Sequence, residues 1–97
     1  MDKIAVKNII RPDAKPMMLD ARKYNAMREA YLFVLPSAEP GLTPVEIRKR
    51  MEPVLSQEVF PGGEKAGWWA KAVQLDLEEK GVIARAKGAP VRLYRIS

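Results

Sequence analysis

The sequence predicts a single α+β domain that is mainly helical, in which three helices precede a C-terminal two-stranded hairpin. Three observations indicate this order. Apolar residues recur at helical spacing in three segments, the last of these segments ends at a glycine, and β-branched and aromatic residues then flank a Gly/Pro turn. With 97 residues, the chain suffices for one modest core and not for two.

The composition limits the classes of function. The chain contains no histidine and no cysteine, so the common nucleophile–base pairs and zinc sites cannot be built. We therefore expect a protein that is not an enzyme and that has no catalytic residues, metal or cofactor. No apolar run approaches the roughly 20 residues of a membrane span, and the N-terminus lacks the apolar segment of a signal peptide. We expect a cytoplasmic protein with no membrane partner.

The net charge of +5 is compatible with nucleic-acid binding, because lysine and arginine neutralise phosphates. An ordinary basic protein would have the same total charge. The position of the charge adds information, since no acidic side chain follows Glu79. The cations after that point are Lys80, Arg85, Lys87, Arg92 and Arg95.

Residues 1–18 contain Pro12 and Pro16 and no sustained periodicity. We interpret this segment as an N-terminal arm, laid along the domain or across a partner, and assign residues 19–97 to the folded domain. The first helix is predicted over residues 20–35, with Asp20 as N-cap and Pro36 as the stop. Its apolar face consists of Tyr24, Met27, Tyr31, Val34 and Leu35.

The second helix has the clearest local signal. Thr43 and Glu46 form a capping box, with Pro44 at the first helical position. Pro53 should end the helix near Met51 or Glu52. The next break is Pro61-Gly62-Gly63, which we interpret as a structural loop, because the lysine and Ser/Thr of a phosphate-binding P-loop are missing.

The third helix is predicted over the following residues, up to a stop at Gly81. Gly81 suits the C′ position, and Val82 is then placed against Leu77 as in a Schellman motif. A helical wheel assigns one face to the core, with Ala66, Trp69, Ala70, Val73 and Leu77. The hairpin is predicted over residues 82–86 and 91–96 around a turn at 87–90, with Pro90 as the first residue of an edge strand.

Three helices and a hairpin, joined through Leu77-Glu78-Glu79-Lys80-Gly81-Val82-Ile83-Ala84-Arg85, resemble the winged helix-turn-helix superfamily over residues 19–96. The hairpin would be the wing. The stretch Gly67-Trp68-Trp69 with Val73-Gln74-Leu75-Asp76-Leu77-Glu78 also resembles a small bacterial family of unassigned function, which implies no activity. One departure is the connection at residues 52–63, since a tight helix-turn-helix has a turn of roughly three or four residues.

The winged-helix resemblance implies a DNA-binding protein, a small transcriptional regulator or accessory factor whose partner is double-stranded DNA. N-terminal residues of a recognition helix contact base edges in the major groove. In this chain those residues are Lys65, Trp68, Lys71 and Gln74. On the wing, Arg85, Lys87 and Arg92 would contact phosphates, and on the second helix Arg48, Lys49 and Arg50 would lie near the backbone. Ordinary solvation is the alternative interpretation of each charge.

The outer face of the third helix favours a different function. Opposite its core face lie Trp68, Lys71, Leu75 and Glu78. A DNA-reading face is usually richer in Arg, Lys, Asn and Gln. The alternative is a protein-interaction or dimerisation module without DNA binding, which docks a partner or a second copy through Trp68, Leu75 and the arm. Two further interpretations remain: both side chains belong to the core, or Trp68 stacks on a base.

Overall fold

The computed structural model describes residues 2–11 and 13–97. These residues form three α-helices and two separate two-stranded antiparallel sheets, so the predicted mainly helical α+β class is confirmed. Within the described ranges, no helix is long and apolar enough to cross a membrane. The elements are β1 (Lys3–Val6), β2 (Met17–Asp20), α1 (Ala21–Val34), α2 (Pro44–Met51), α3 (Ala66–Glu79), β3 (Ile83–Arg85) and β4 (Leu93–Arg95), with a 3-10 turn at Pro61–Gly63 before α3.

The predicted arm forms a β-hairpin that lies along the domain. β1 and β2 pair antiparallel, from Lys3 opposite Asp20 to Val6 opposite Met17. Val6 is buried in the core, and β1 contacts both α1 and α3. β2 crosses the boundary that we placed after residue 18 and continues directly into α1. Met1 and Pro12 of the predicted arm lie outside the described residues.

The predicted starts and stops of α1 and α2 are confirmed. Asp20 Oδ1 accepts hydrogen bonds from the backbone N–H groups of Arg22, at 2.9 Å, and Lys23, at 3.3 Å. The capping box of α2 is complete, because Glu46 N–H donates to Thr43 Oγ1 at 3.2 Å and Thr43 N–H donates to Glu46 Oε1 at 2.9 Å. Each cap satisfies backbone donors that the helix itself leaves unpaired.

α3 ends as predicted. Gly81 has φ +74°, a left-handed conformation that glycine adopts without steric cost. Its N–H donates to the carbonyl of Glu78 at 3.2 Å, and the N–H of Val82 donates to the carbonyl of Leu77 at 2.9 Å. These two bonds constitute a Schellman motif.

The C-terminal hairpin is also confirmed, with β3 and β4 paired from Ile83 opposite Arg95 to Arg85 opposite Leu93. Pro90 differs from the prediction, since it lies in the turn and β4 begins only at Leu93. Leu93 forms a second bridge with Leu42, in the loop before α2, through bonds of 2.9 and 2.8 Å. The hairpin is therefore held to the segment between α1 and α2 as well as to α3.

The core lies where α1 meets α2 and α3, and the second half of α3 is enclosed on all sides. All residues from Val73 to Glu78 are buried. This corrects the helical wheel, which placed Leu75 and Glu78 on the outer face; Leu75 is only 8% exposed. The reason is that α1, β1 and β3 all contact this helix. Of the predicted outer face, Trp68 and Lys71 remain exposed.

Candidate nucleic-acid interface

Asp76, in the second half of α3, is completely buried and surrounded by donors. Its carboxylate accepts hydrogen bonds from the Tyr24 hydroxyl, from Lys80 Nζ at 2.7 Å and from the backbone N–H of Lys7 at 2.8 Å. Burial, and then the bond to Asp76, raise the pKa of Tyr24 far above its ordinary value. The Asp76 carboxylate thus connects α1 and the N-terminal hairpin to α3, and its role is to stabilise the fold.

Glu78 connects α3 to the C-terminal hairpin. Its carboxylate accepts from Arg85 Nε, from Arg85 Nη2 at 3.2 Å and from Gln74 Nε2 at 3.3 Å. The hydrogen bond from Arg85 to Glu78 raises the pKa of Arg85. Gln74 and Arg85, which were predicted to contact DNA, therefore form hydrogen bonds to Glu78 inside the protein. Gln74 is only 2% exposed, and the Arg85 guanidinium is held by Glu78.

The first half of α3 exposes the other predicted side chains of this helix. Lys65 and Lys71 are exposed, and Trp68 is 51% exposed while its ring packs edge-on against Trp69, with centroids 5.2 Å apart. Lys65 is the N-cap residue with φ +60°, and no side chain in the described part of the chain caps this helix end. The positive end of the helix dipole therefore adds to the two lysine charges.

Exposed cations of α2 adjoin this end of α3. The guanidinium of Arg48 lies against the α3 backbone at Gly67, where a Cβ atom would come within 3.2 to 3.4 Å of it. Lys49 and Arg50 are exposed beside it in sequence. Gly67 was not predicted as part of a site. Glycine in a helix is less stable than alanine by about 1 kcal/mol. A glycine inside a predicted helix therefore suggests that another group packs closely against the backbone there, and this was the available sequence signal.

A groove of about 250 Å³ lies between α2 and α3. Tyr31 from α1 forms part of its lining, and the Tyr31 hydroxyl is buried with no hydrogen-bond partner among residues 2–11 and 13–97. Burial, followed by the charge of Glu78, raises the pKa of Tyr31, so this phenol stays protonated. The lining residues are Tyr31, Pro44, Arg48, Gly67, Ala70, Lys71 and Gln74.

The wing lies close to α2. Arg92 precedes Leu93, which bridges Leu42 just before the N-cap of α2, so Arg92 is near the start of this helix. Hydrogen bonds from Thr43 lower the pKa of Glu46, and the charges of Arg50 and Arg92 lower it further. Lys87 is exposed in the turn of the hairpin. The structure therefore brings Arg92, α2 and the first half of α3 to one region. We call the exposed cations Lys65, Lys71, Arg48, Lys49 and Arg50, together with Trp68 and Arg92, the basic face.

Acidic side chains are present near this region but are dispersed. Glu46 is engaged in its capping box, and Glu52 and Glu64 are exposed. Within the ranges that the structure describes, no three acidic side chains are grouped in a way that would hold a metal ion. The exposed cations of the basic face outnumber these carboxylates, so this face favours anions over cations as ligands.

Comparison with known proteins identifies a family. Searches of curated proteins and of solved structures gave no match. The profile described as "Family of unknown function (DUF6958)" matches residues 3–93, which include the N-terminal hairpin, all three helices and β3, and which end at the first residue of β4. The chain therefore belongs to this family of unknown function.

Proposed function

We propose that this protein binds double-stranded DNA as a winged helix-turn-helix protein, in the role of a small transcriptional regulator or accessory factor. The observation that carries the proposal is the basic face. It gathers cations from α2, from the exposed half of α3 and from the wing. In contrast, the buried carboxylates of α3, Asp76 and Glu78, are paired with donors inside the protein.

The topology supports the winged-helix assignment. α3 is followed by the β3–β4 hairpin, and the Leu42–Leu93 bridge pairs one residue of the segment before α2 with β4. The long connection between α2 and α3 is compatible with this assignment because it is anchored. Phe60 is fully buried within it, and its ring packs edge-on against Trp69 at 6.4 Å.

The way DNA is contacted follows from which side chains reach the solvent. Lys65, Trp68 and Lys71 project from the half of α3 that would enter the major groove. The cations of α2 and Arg92 would contact phosphates on either side. Because Gln74 is withdrawn into the protein, the exposed half of α3 carries no amide side chain that would read adenine. We therefore expect binding that depends mainly on phosphates and has low sequence specificity.

A salt titration tests this proposal. A fluorescent duplex is titrated with the wild type and with Lys65→Ala/Lys71→Ala at several salt concentrations. Each phosphate contact contributes about 0.9 to the slope of log K against log salt, so the double variant should reduce the slope by about 2.

The matched control is Lys3→Ala/Lys15→Ala, which removes the same charge from exposed positions on the N-terminal hairpin. It should leave the slope unchanged. Absence of duplex binding by the wild type at low salt would refute DNA binding. An equal effect of both double variants would show that only the total charge matters, and would remove the basic face from the proposal.

A protein-interaction or dimerisation module remains the second candidate, because Trp68 is a large aromatic side chain that is 51% exposed. Leu75 no longer supports it, since that side chain is buried. Light scattering coupled to size exclusion tests self-association. A dimeric wild type that becomes monomeric in Trp68→Ala, and stays dimeric in Phe33→Ala on exposed α1 surface, would support it. A monomeric wild type would exclude a homodimer.

A further inference from the structure

We infer that the groove between α2 and α3 is a phosphate-binding subsite, in which Arg48 and Lys71 bind the anion and the Tyr31 hydroxyl donates a hydrogen bond to it. The inference deepens the proposed function, because a DNA backbone phosphate would satisfy it. The same three side chains could equally bind a phosphate group on a small molecule.

The size and charge of the groove select the ligand. Its volume of about 250 Å³ is smaller than typical small-molecule pockets of roughly 300–1,000 Å³, so it suits a single small group and not a whole nucleotide. No carboxylate of the described residues is part of its lining, which contains two cations, and Glu78, whose charge acts on Tyr31, is paired with Arg85. A small anion is therefore the ligand that the lining favours.

Arg48 supplies a guanidinium to this groove. The guanidinium lies against the backbone of α3 at Gly67, where an added Cβ atom would come within 3.2 to 3.4 Å of it. The planar donors of a guanidinium match two phosphate oxygens. Lys71, one turn further along α3, supplies a second charge at the same groove.

Tyr31 supplies the observation that is hardest to explain without a ligand. A buried donor that lacks a partner is costly, and native proteins contain few of them. The Tyr31 hydroxyl is such a donor in the part of the chain that the structure describes, and its residue belongs to the groove lining. Because its pKa is raised, it stays a donor at every physiological pH and suits an acceptor-rich ligand such as phosphate.

The test has two arms. In the first, inorganic phosphate is titrated into the protein against sodium chloride of equal ionic strength, and NMR signals of the Arg48 Nε–H, the Gln74 amide and the Gly67 N–H are followed. The wild type should show saturable shifts at these groups. Tyr31→Phe removes one oxygen atom and should weaken phosphate binding about tenfold, as expected for a hydrogen bond to a charged group.

The controls separate chemistry from folding. Tyr94→Phe makes the same change on β4, away from the groove, and should bind phosphate like the wild type. Lys71→Ala changes an exposed side chain, so its loss of binding would support the subsite even if Tyr31→Phe proved less stable. Lys71→Arg keeps the charge and should restore most of the affinity.

The second arm repeats the duplex titration with the same variants. If Tyr31→Phe weakens both phosphate and duplex, the ligand is a backbone phosphodiester. If it weakens only phosphate, the subsite stands and takes a phosphate group from a small molecule, even if DNA binding fails. The inference is overturned if inorganic phosphate causes no saturable shift in the wild type. It is equally overturned if folded Tyr31→Phe and Lys71→Ala both bind phosphate like the wild type.

Discussion

The hydroxyl of Tyr24 donates a hydrogen bond to Oδ2 of Asp76, and both side chains are enclosed in the protein. This bond connects the first turn of α1 to the second half of α3, which are far apart in sequence. The same carboxylate binds Lys7 N–H and Lys80 Nζ, so one buried charge joins three parts of the fold. Stability should therefore be sensitive to each donor.

Tyr24→Phe should lower the free energy of unfolding by about 1–2 kcal/mol, because Asp76 loses one donor and keeps two. Urea denaturation measures the change. Tyr94→Phe, in which the phenol is only partly buried, is the control and should change the stability by less than about 0.5 kcal/mol. Equal stability of Tyr24→Phe and the wild type would show that the bond contributes nothing.

Alkaline pH should unfold the protein through its buried phenols. Tyr24 and Tyr31 have raised pKa values in the folded state, chiefly because of burial, and an unfolded tyrosine has a pKa of about 10. A raised folded pKa gives stability that is complete below about pH 10 and is lost as the pH rises above it, because the folded state retains protons that the unfolded state releases.

Thermal denaturation between about pH 8 and pH 11, alongside the ultraviolet absorbance of tyrosinate, measures this loss. Tyr31→Phe should make the decline of stability with pH shallower. A decline of the same steepness in the Tyr31→Phe variant would contradict the prediction.

Arg85→Ala should destabilise the protein by about 2 kcal/mol, because it leaves the buried Glu78 carboxylate without its charged partner. We expect a value below that for a fully buried pair, since the Arg85 side chain is 38% exposed. The double variant Glu78→Gln/Arg85→Ala should recover part of the loss, because no buried charge is then left unpaired. Urea denaturation of the wild type, Arg85→Ala, Glu78→Gln and the double variant measures the coupling, and a double variant that is no more stable than Arg85→Ala would argue against it.

Gly67→Ala should stabilise α3 and weaken anion binding. Gly67 lies within the helix, so alanine should contribute about 0.5–1 kcal/mol provided that the flexible Arg48 side chain moves aside. The moved guanidinium should then bind phosphate and duplex less well. Gly81→Ala is the contrasting variant, since φ +74° there makes alanine unfavourable by about 1 kcal/mol. Unchanged phosphate affinity in Gly67→Ala would show that Arg48 needs no such support.

The local signals of the sequence predicted the helix ends and the C-terminal hairpin well. The caps at Asp20 and Thr43 and the stop at Gly81 depend on neighbouring residues only, and the structure has all three. The N-terminal hairpin was not predicted, because its strands are separated by a long connection without a short turn signal. Its pairing depends on the helices against which it packs.

The candidate site was harder to predict for a related reason. A helical wheel shows one inner face, but it contains no information on how many elements pack against a helix. Three elements surround the second half of α3, so Gln74 and Leu75 are buried and Arg85 binds Glu78. Within α3, the side chains that were predicted to contact DNA and that are exposed in the structure all lie in the first half of the helix. Tyr31 looked like an ordinary core residue, because nothing in the sequence indicates that its hydroxyl lacks a partner.

The bond from Lys7 N–H to Asp76 has a consequence for how the molecule opens. A backbone amide near the chain start is bound to the most deeply buried charge of α3. Its exchange with deuterium should therefore be as slow as that of core helix amides, and not as fast as is usual close to a terminus. The N-terminal hairpin and α3 would then unfold as one cooperative unit.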